Sequence, residues 1–291
     1  MNRRDEILSK VSTIPAIPTV IAEIRKLLAD TDVNFKELAQ VIKYDPGLTA
    51  NLLRLANSAY FGFVKSVNSV HQAIVRLGMK RVYELAVAAA VAPMTQRAIN
   101  GYDLSAGKLW EHSVAVAIGA EQLASVLNIK EPDYTFTAGL LCDIGKIILG
   151  TFVEVNAKPI MDMAFKLGIP FDVAERRILG VDHAEVGAAL LERWNIPRCI
   201  VDVTRWHHNP DSLEEDKLVV DLVHVADALA MMGGIGIGSD GLNYRPSPEV
   251  VSRLKLTTRI NELVICKIMT GLGELNNLFT LKVAEGSKNG S

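Results

Sequence analysis

Cysteine is scarce: Cys142, Cys199 and Cys266 are the only three in 291 residues, and no pair has CxxC spacing. That excludes a disulfide framework and a zinc-ribbon arrangement. A dominant charge is also missing. The chain has 31 Lys and Arg against 33 Asp and Glu, a formal net charge of -2, and no long basic run. General nucleic-acid binding, which needs clustered cations to neutralise phosphates, is therefore not expected. No apolar stretch is long enough to cross a bilayer. The most apolar run, "LAVAAAVAPM" from Leu85, is short and meets a proline, and "MNRRDEILSKVSTIP" has no signal-peptide core. A cytoplasmic protein without a membrane segment is the expectation. Alternating apolar and polar residues between turn pairs are nearly absent too, which argues against strands.

Helical periodicity is what the chain has instead. "IPTVIAEIRKLLAD" puts Val20, Ile24, Leu27 and Leu28 on one face, and "NFKELAQVIKYDPG" opens on Asn34 as a cap with Glu37 three residues later. "LWEHSVAVAIGAEQLASVL", "HAEVGAALLERW" and "KLVVDLVHVADALAMM" fit helices with wide apolar faces. With 49% hydrophobic residues, the chain can bury the core of one large or two small domains. The pattern predicts an all-α protein with an N-terminal helical subdomain (1–98) packed on a helical core (99–232). A glycine- and proline-rich loop with a last helical extension follows (233–291). Pro15, Pro18, Pro46, Gly47 and Gly78 are expected to mark helix boundaries in the first part.

The residues able to carry chemistry lie on or at the ends of these helices: His112, the Cys142-Asp143 pair, His183, His207-His208 and Asp227. Imidazole nitrogens and carboxylate oxygens suit divalent cations such as Fe, Mn, Zn or Ni, and a helical bundle can aim them into one interior site. For any one histidine, a hydrogen-bonded core or surface imidazole is the simpler reading, so the set is judged together. His224, three residues before Asp227, reads as structural, His71 as surface or core, and Trp110, Trp194 and Trp206 as core wall. Gly236, Gly238 and Gly241 spell GxGxxG but follow a helix, so a loop fits better than a dinucleotide fingerprint. Asn57 and Ser58 read as backbone caps in a tight helix junction.

Several phrases resemble the HDOD family, relatives of the HD-domain phosphohydrolases: "IPAIPTV", "VIKYDPGLTANLLRLANSAYFG", "SVHQAIVRLG", "LWEHSVAVA", "TAGLLCDIGKIIL", "DHAEVGAALLERWNIP", "WHHNP" and "HVADALA". They cover about residues 14–230. The resemblance implies an HD-type helical core and a metal set from His112, Cys142, Asp143 and Asp227, with Asp143 shared by a second set of His183, His207 and His208. Lys146 matches a lysine that contacts substrate phosphate, so Asp143 and Lys146 are the catalytic candidates if the protein is an enzyme. Three departures stand out. Cys142 replaces the signature His, Lys108 stands where the three-metal HD-GYP enzymes carry a ligating Glu, and "HHNPDSLEED" has no Gly-Tyr-Pro signature.

Two functions follow from the resemblance. One is a non-catalytic or weakly catalytic regulatory module of bacterial signal transduction, acting through contacts with a protein such as a sensor kinase or a cyclic di-GMP enzyme. The alternative is a metal-dependent phosphohydrolase, a phosphodiesterase or nucleotidase, in which a divalent cation activates water and stabilises charge on the transferred group. Either way the six His and Asp residues should converge in one pocket, with Cys142 in or beside it.

Overall fold

The computed structural model describes residues 3–14, 19–28, 35–43, 45–58, 60, 66–152, 157–238 and 244–286. Among them the architecture is all-α; the only pairing of extended backbone is an isolated bridge between Ile99 and Leu104. In chain order the helices are α1 (Arg3–Lys10), α2 (Thr19–Leu28), α3 (Phe35–Lys43), α4 (Pro46–Ala56), α5 (Val70–Thr95) and α6 (Lys108–Val126). They continue with α7 (Thr135–Leu141), α8 (Gly145–Ile147), α9 (Ala157–Leu167), α10 (Phe171–Leu179) and α11 (His183–Arg193). The last are α12 (Arg198–Trp206), α13 (Lys217–Met232), α14 (Pro248–Arg253) and α15 (Thr258–Gly286).

Local chemistry accounts for several boundaries. Asp45 caps α4 by accepting the Leu48 N–H at 2.9 Å, and Pro46 takes the first position, where no donor is needed. Pro46 thus marks a boundary as expected, whereas Gly47 lies inside the first turn of α4. Gly78 breaks the α5 span with φ 82° and ψ 161°, a conformation that glycine adopts without a Cβ clash. Pro15 and Pro18 lie outside the described residues.

The chain divides into two compact units, Met1–Pro15 with Met94–Ile268, and Ala16–Pro93 with Met269–Ser291. In the second, Ile24, Leu38, Ile42 and Leu52 are buried on the facing sides of α2, α3 and α4. Asn57 closes the turn after α4: its amide donates to the Val67 carbonyl at 2.8 Å and accepts the Val67 N–H at 2.6 Å. That is the backbone role read from the sequence. The Ser58 hydroxyl is buried without a partner, so it does not share that role.

This division differs from one cut at 98/99 and 232/233. Arg193 at the end of α11 donates to the Val11 and Ile14 carbonyls, each at 2.6 Å, and Arg4 pairs with Glu185. The N-terminal helix therefore packs with the large unit. So do residues 233–238 and 244–268, whose Val250, Val264 and Ile268 are fully buried. Within the large unit α6 and α13 lie side by side as inner helices, buried almost all round, with α7 against both. The positions that converge on the site are carried by these helices, by α10, α11 and α12, and by the turn before α8. No helix among the described residues is long and apolar enough to cross a membrane.

Candidate metal centre

Two close approaches of backbone build the site. A Cβ on Gly145 would lie 1.9 Å from the His183 carbonyl oxygen and 2.6 Å from the Gly187 nitrogen, so only glycine lets α8 and α11 touch there. That contact sets Asp143, in the turn between α7 and α8, against His183 in the first turn of α11. Gly236, with φ +60°, would place a Cβ 2.4 Å from the Lys108 carbonyl and 2.7 Å from His112. The glycine loop after α13 can therefore press the Ile235 carbonyl onto His112.

The predicted histidines and aspartates meet in two overlapping groups, Asp143 with His183, His207 and His208, and His112 with Asp143 and Asp227; the ligand atoms of each group lie within 4.8 Å of one another. In the first group the His183 Nε2 stands 2.8 Å from the His208 Nε2 and 3.4 Å from Asp143 Oδ1, and the His207 Nε2 lies 3.7 Å from that same oxygen. In the second, the His112 Nε2 is 2.8 Å from Asp227 Oδ1 and 3.2 Å from Asp143 Oδ2.

Outer hydrogen bonds fix which ring nitrogens are available. A carbonyl only accepts, so His112 donates its Nδ1–H to Ile235 O at 3.0 Å, and His207 donates its Nδ1–H to Thr204 O at 2.7 Å. His183 turns Nδ1 to Glu175 Oε2 at 2.6 Å, and Tyr102 donates its hydroxyl to the other oxygen of Glu175. In all three rings the Nε2 faces the pocket, the arrangement that metal-ligating histidines use. The His207 Nε2, His208 Nδ1 and Asp143 Oδ1 are buried with no hydrogen-bond partner. Orphaned acceptors this deep are costly unless a cation or a proton satisfies them. The residues present fit a divalent ion.

Titration follows the same geometry. Burial pushes the His112 imidazole down, but its bonds to Asp143 and Asp227 outweigh this and raise its pKa to about 10. His183 behaves alike: burial lowers it, and Glu175 and Asp143 carry it well above the ordinary value. His208 goes the other way, lowered by burial and by the charges of His207 and His183. Burial works to raise Asp143, yet Lys146, His112, His183 and His207 hold it well below the usual carboxylate range.

Lys146 is 2% exposed, and its ammonium donates to Asp143 Oδ2 at 2.8 Å. Cys142 is buried beside the site but belongs to neither group. Its thiol donates to the Gly139 carbonyl at 3.2 Å, back along its own helix, because the turn that aims Asp143 inward directs the preceding side chain elsewhere. Burial, together with Asp143 and Asp227, pushes that thiol well above its ordinary pKa, so it is a thiol and not a thiolate. Lys108 lies at the surface, its ammonium 2.6 Å from Glu111 Oε2. His224 bridges elements: its Nδ1–H donates to His207 O at 2.6 Å, and its Nε2 accepts Ser247 N–H at 2.8 Å. His71 is exposed, and Trp110 and Trp194 are buried as core wall.

Sequence reasoning missed Glu175 and Tyr102. A signal for Glu175 was present, since it sits on the apolar face of α10 with Phe171, Ala174 and Leu179. A carboxylate at such a position needs a buried partner.

Residues 14–210 match the HDOD domain family, and the chain belongs to that family. An HDOD domain protein of unknown function from Geobacter sulfurreducens is 25% identical, with 97% of this chain and 95% of that one covered at a TM-score of 0.71. A protein from Shewanella amazonensis SB2B, described as a candidate phosphohydrolase, is 28% identical over 94% of this chain and 97% of that one, with a TM-score of 0.67. An uncharacterized protein of Treponema pallidum (strain Nichols) is 27% identical over 224 residues, which are 76% of this chain but 43% of the relative. The chain thus spans less than half the length of that relative. The fold is that of HDOD proteins and HD phosphohydrolase relatives, and its buried His and Asp cluster can hold a metal ion.

Proposed function

We propose that the chain is a regulatory module of bacterial signal transduction, non-catalytic or weakly catalytic, whose site holds one divalent cation as a structural element. The charge balance of the buried site carries this reading. Asp143, Asp227 and Glu175 bring three carboxylates against the single ammonium of Lys146, so 3 − 1 leaves two negative charges in contact with the imidazoles. Two imidazolium protons balance them, or one divalent ion with neutral histidines. Two divalent ions overshoot. Lys146 already occupies the Asp143 Oδ2 side, and Cys142 supplies no ligand to the second position. The tetrad of His183, His207, His208 and Asp143 suits Fe, Mn, Zn or Ni.

The module would act through protein contacts made by the Ala16–Pro93 unit, with a sensor kinase or a cyclic di-GMP enzyme as partner. The support is that the HDOD match extends over this unit, which contributes no candidate ligand among the described residues. Charge reversal at the exposed Glu37 and Arg76 tests that surface, and unchanged pull-down and signalling phenotypes would remove it.

A second reading, a metal-dependent phosphodiesterase or nucleotidase, is favoured by an open cavity that reaches His208. A cation at the tetrad would then supply Lewis-acid stabilisation of a phosphoryl group, with Lys146 orienting it. Elemental analysis of the purified protein, run beside a phosphodiesterase and nucleotidase screen in added Mn or Fe, decides. One metal per chain without turnover is expected. Robust turnover would reverse the order of the two readings.

A further inference from the structure

The cavity against His208 is a constructed feature of the large unit. It encloses about 770 Å3 and is walled by α10, by the end of α12 and by the segment from Tyr244 to Pro248. That volume lies within the range of small-molecule sites. The Tyr244–Pro248 wall is held at several points. The Tyr244 hydroxyl accepts the Asp172 N–H at 3.0 Å, and its ring stacks on His208 with centroids 4.6 Å apart. Ser247 donates its N–H to His224 at 2.8 Å and its hydroxyl to Asp211 Oδ2 at 3.0 Å. Arg253 in turn grips Asp211 and Asp221, at 2.6 to 2.8 Å.

Four arginines line the cavity, and they divide into two kinds. Arg176 pairs with Asp182, and Arg205 with Glu192 at 2.8 Å. Arg177 and Arg245 have no anionic partner among the described residues, though both line the same cavity. Pro170, Val173, Pro246 and Pro248 add an apolar wall. Two guanidiniums without an anionic partner among the described residues, beside an apolar wall, match a ligand with a phosphate chain at one end and an apolar ring at the other.

We propose that this cavity is a binding site for a nucleoside diphosphate or a similarly sized phosphorylated nucleoside, held by Arg177 and Arg245 and sensed through Tyr244 and His208. The inference goes beyond the regulatory reading. Binding resides in the arginines and the apolar wall, and needs neither turnover nor a metal in the tetrad.

The test is calorimetric titration of the full chain with ADP, GDP and inorganic pyrophosphate, each with metal-loaded and chelator-treated protein. ADP or GDP should bind both forms, and at least tenfold more tightly than pyrophosphate. Arg177→Ala and Arg245→Ala should each weaken binding about tenfold, the loss of one charge-assisted contact. Both residues are exposed, so the variants should keep their helical spectrum and melting temperature. Exposed Lys130, which does not line the cavity, is the control, and Lys130→Ala should bind as the parent does. The proposal is overturned if no nucleotide binds, or if pyrophosphate binds as well as the nucleotides do. It is also overturned if binding needs metal and is lost in His183→Ala while both arginine variants bind normally, since the tetrad alone would then hold the ligand.

Discussion

At the scale of single residues, Glu175 decides how well the tetrad is prepared. It is fully buried, holds the His183 ring through Nδ1 and is itself held by Tyr102. Glu175→Gln keeps the shape but removes the charge, and is expected to weaken metal binding by about 10–100-fold with little change in helix content. Cys142→Ser is the contrast. Its hydroxyl can donate to Gly139 as the thiol does, so metal content measured by mass spectrometry should not change. His224 gives a pH signature. Burial lowers its pKa, and its two hydrogen bonds require the neutral ring. The unfolded chain protonates this imidazole near its ordinary value of about 6.5. The folded state therefore loses stability as pH falls below about 6.5, and the loss levels off once the folded pKa is passed. Melting temperatures between pH 7.5 and 5 should show that slope, and His224→Gln should reduce it, leaving the part contributed by His208, whose pKa burial also lowers. The six His and Asp residues that converge were legible as a set in the sequence, because each interrupts an apolar helix face or ends a helix. Cys142 was misleading: its position in the motif suggested a ligand, but side-chain direction in a turn is set by backbone geometry that spacing does not encode.

At the scale of elements, the site depends on glycines that let backbones meet. Gly145→Ala would drive a methyl group into the His183 carbonyl. The expected cost is about 1–3 kcal/mol or more in chemical denaturation, with loss of bound metal, because α8 and α11 must separate. The GxGxxG-like loop illustrates the limits of pattern reading. The sequence argued against a dinucleotide fingerprint and read the segment only as a loop. The part described, up to Gly238, is a positioned contact that delivers the Ile235 carbonyl to His112. A close approach between residues more than a hundred positions apart leaves no periodic trace. Helix existence was far easier to read, since α6, α11 and α13 carry their own apolar periodicity.

At the scale of the whole molecule, the large unit is made from both flanks of the smaller one. Residues 99–232 alone would lack α1, which supports α11, as well as the Ile235 carbonyl on His112 and the segment at Ser247 that anchors His224. Removing residues 1–14 from the full chain should lower the melting temperature of the large unit by several degrees and weaken retention of any metal held at the His and Asp cluster. Far-UV helix signal should fall by little more than the deleted helix. If metal affinity and melting are both unchanged, α1 is dispensable. This arrangement was illegible in the sequence, because local periodicity says nothing about which distant segments join.

The bond between Arg193 and the Val11 carbonyl links residues 182 positions apart. A ribosome adding about 5–20 residues per second needs roughly 9–36 s to make that stretch. Until then the first helix has emerged without its docking surface, and the helices that follow it can begin to pack ahead of it. Order of synthesis and order of assembly therefore run in opposite directions for α1: it is made well before α11 but docks only after it, and in the interval Ile7 and the following Val11 are open to whatever they meet.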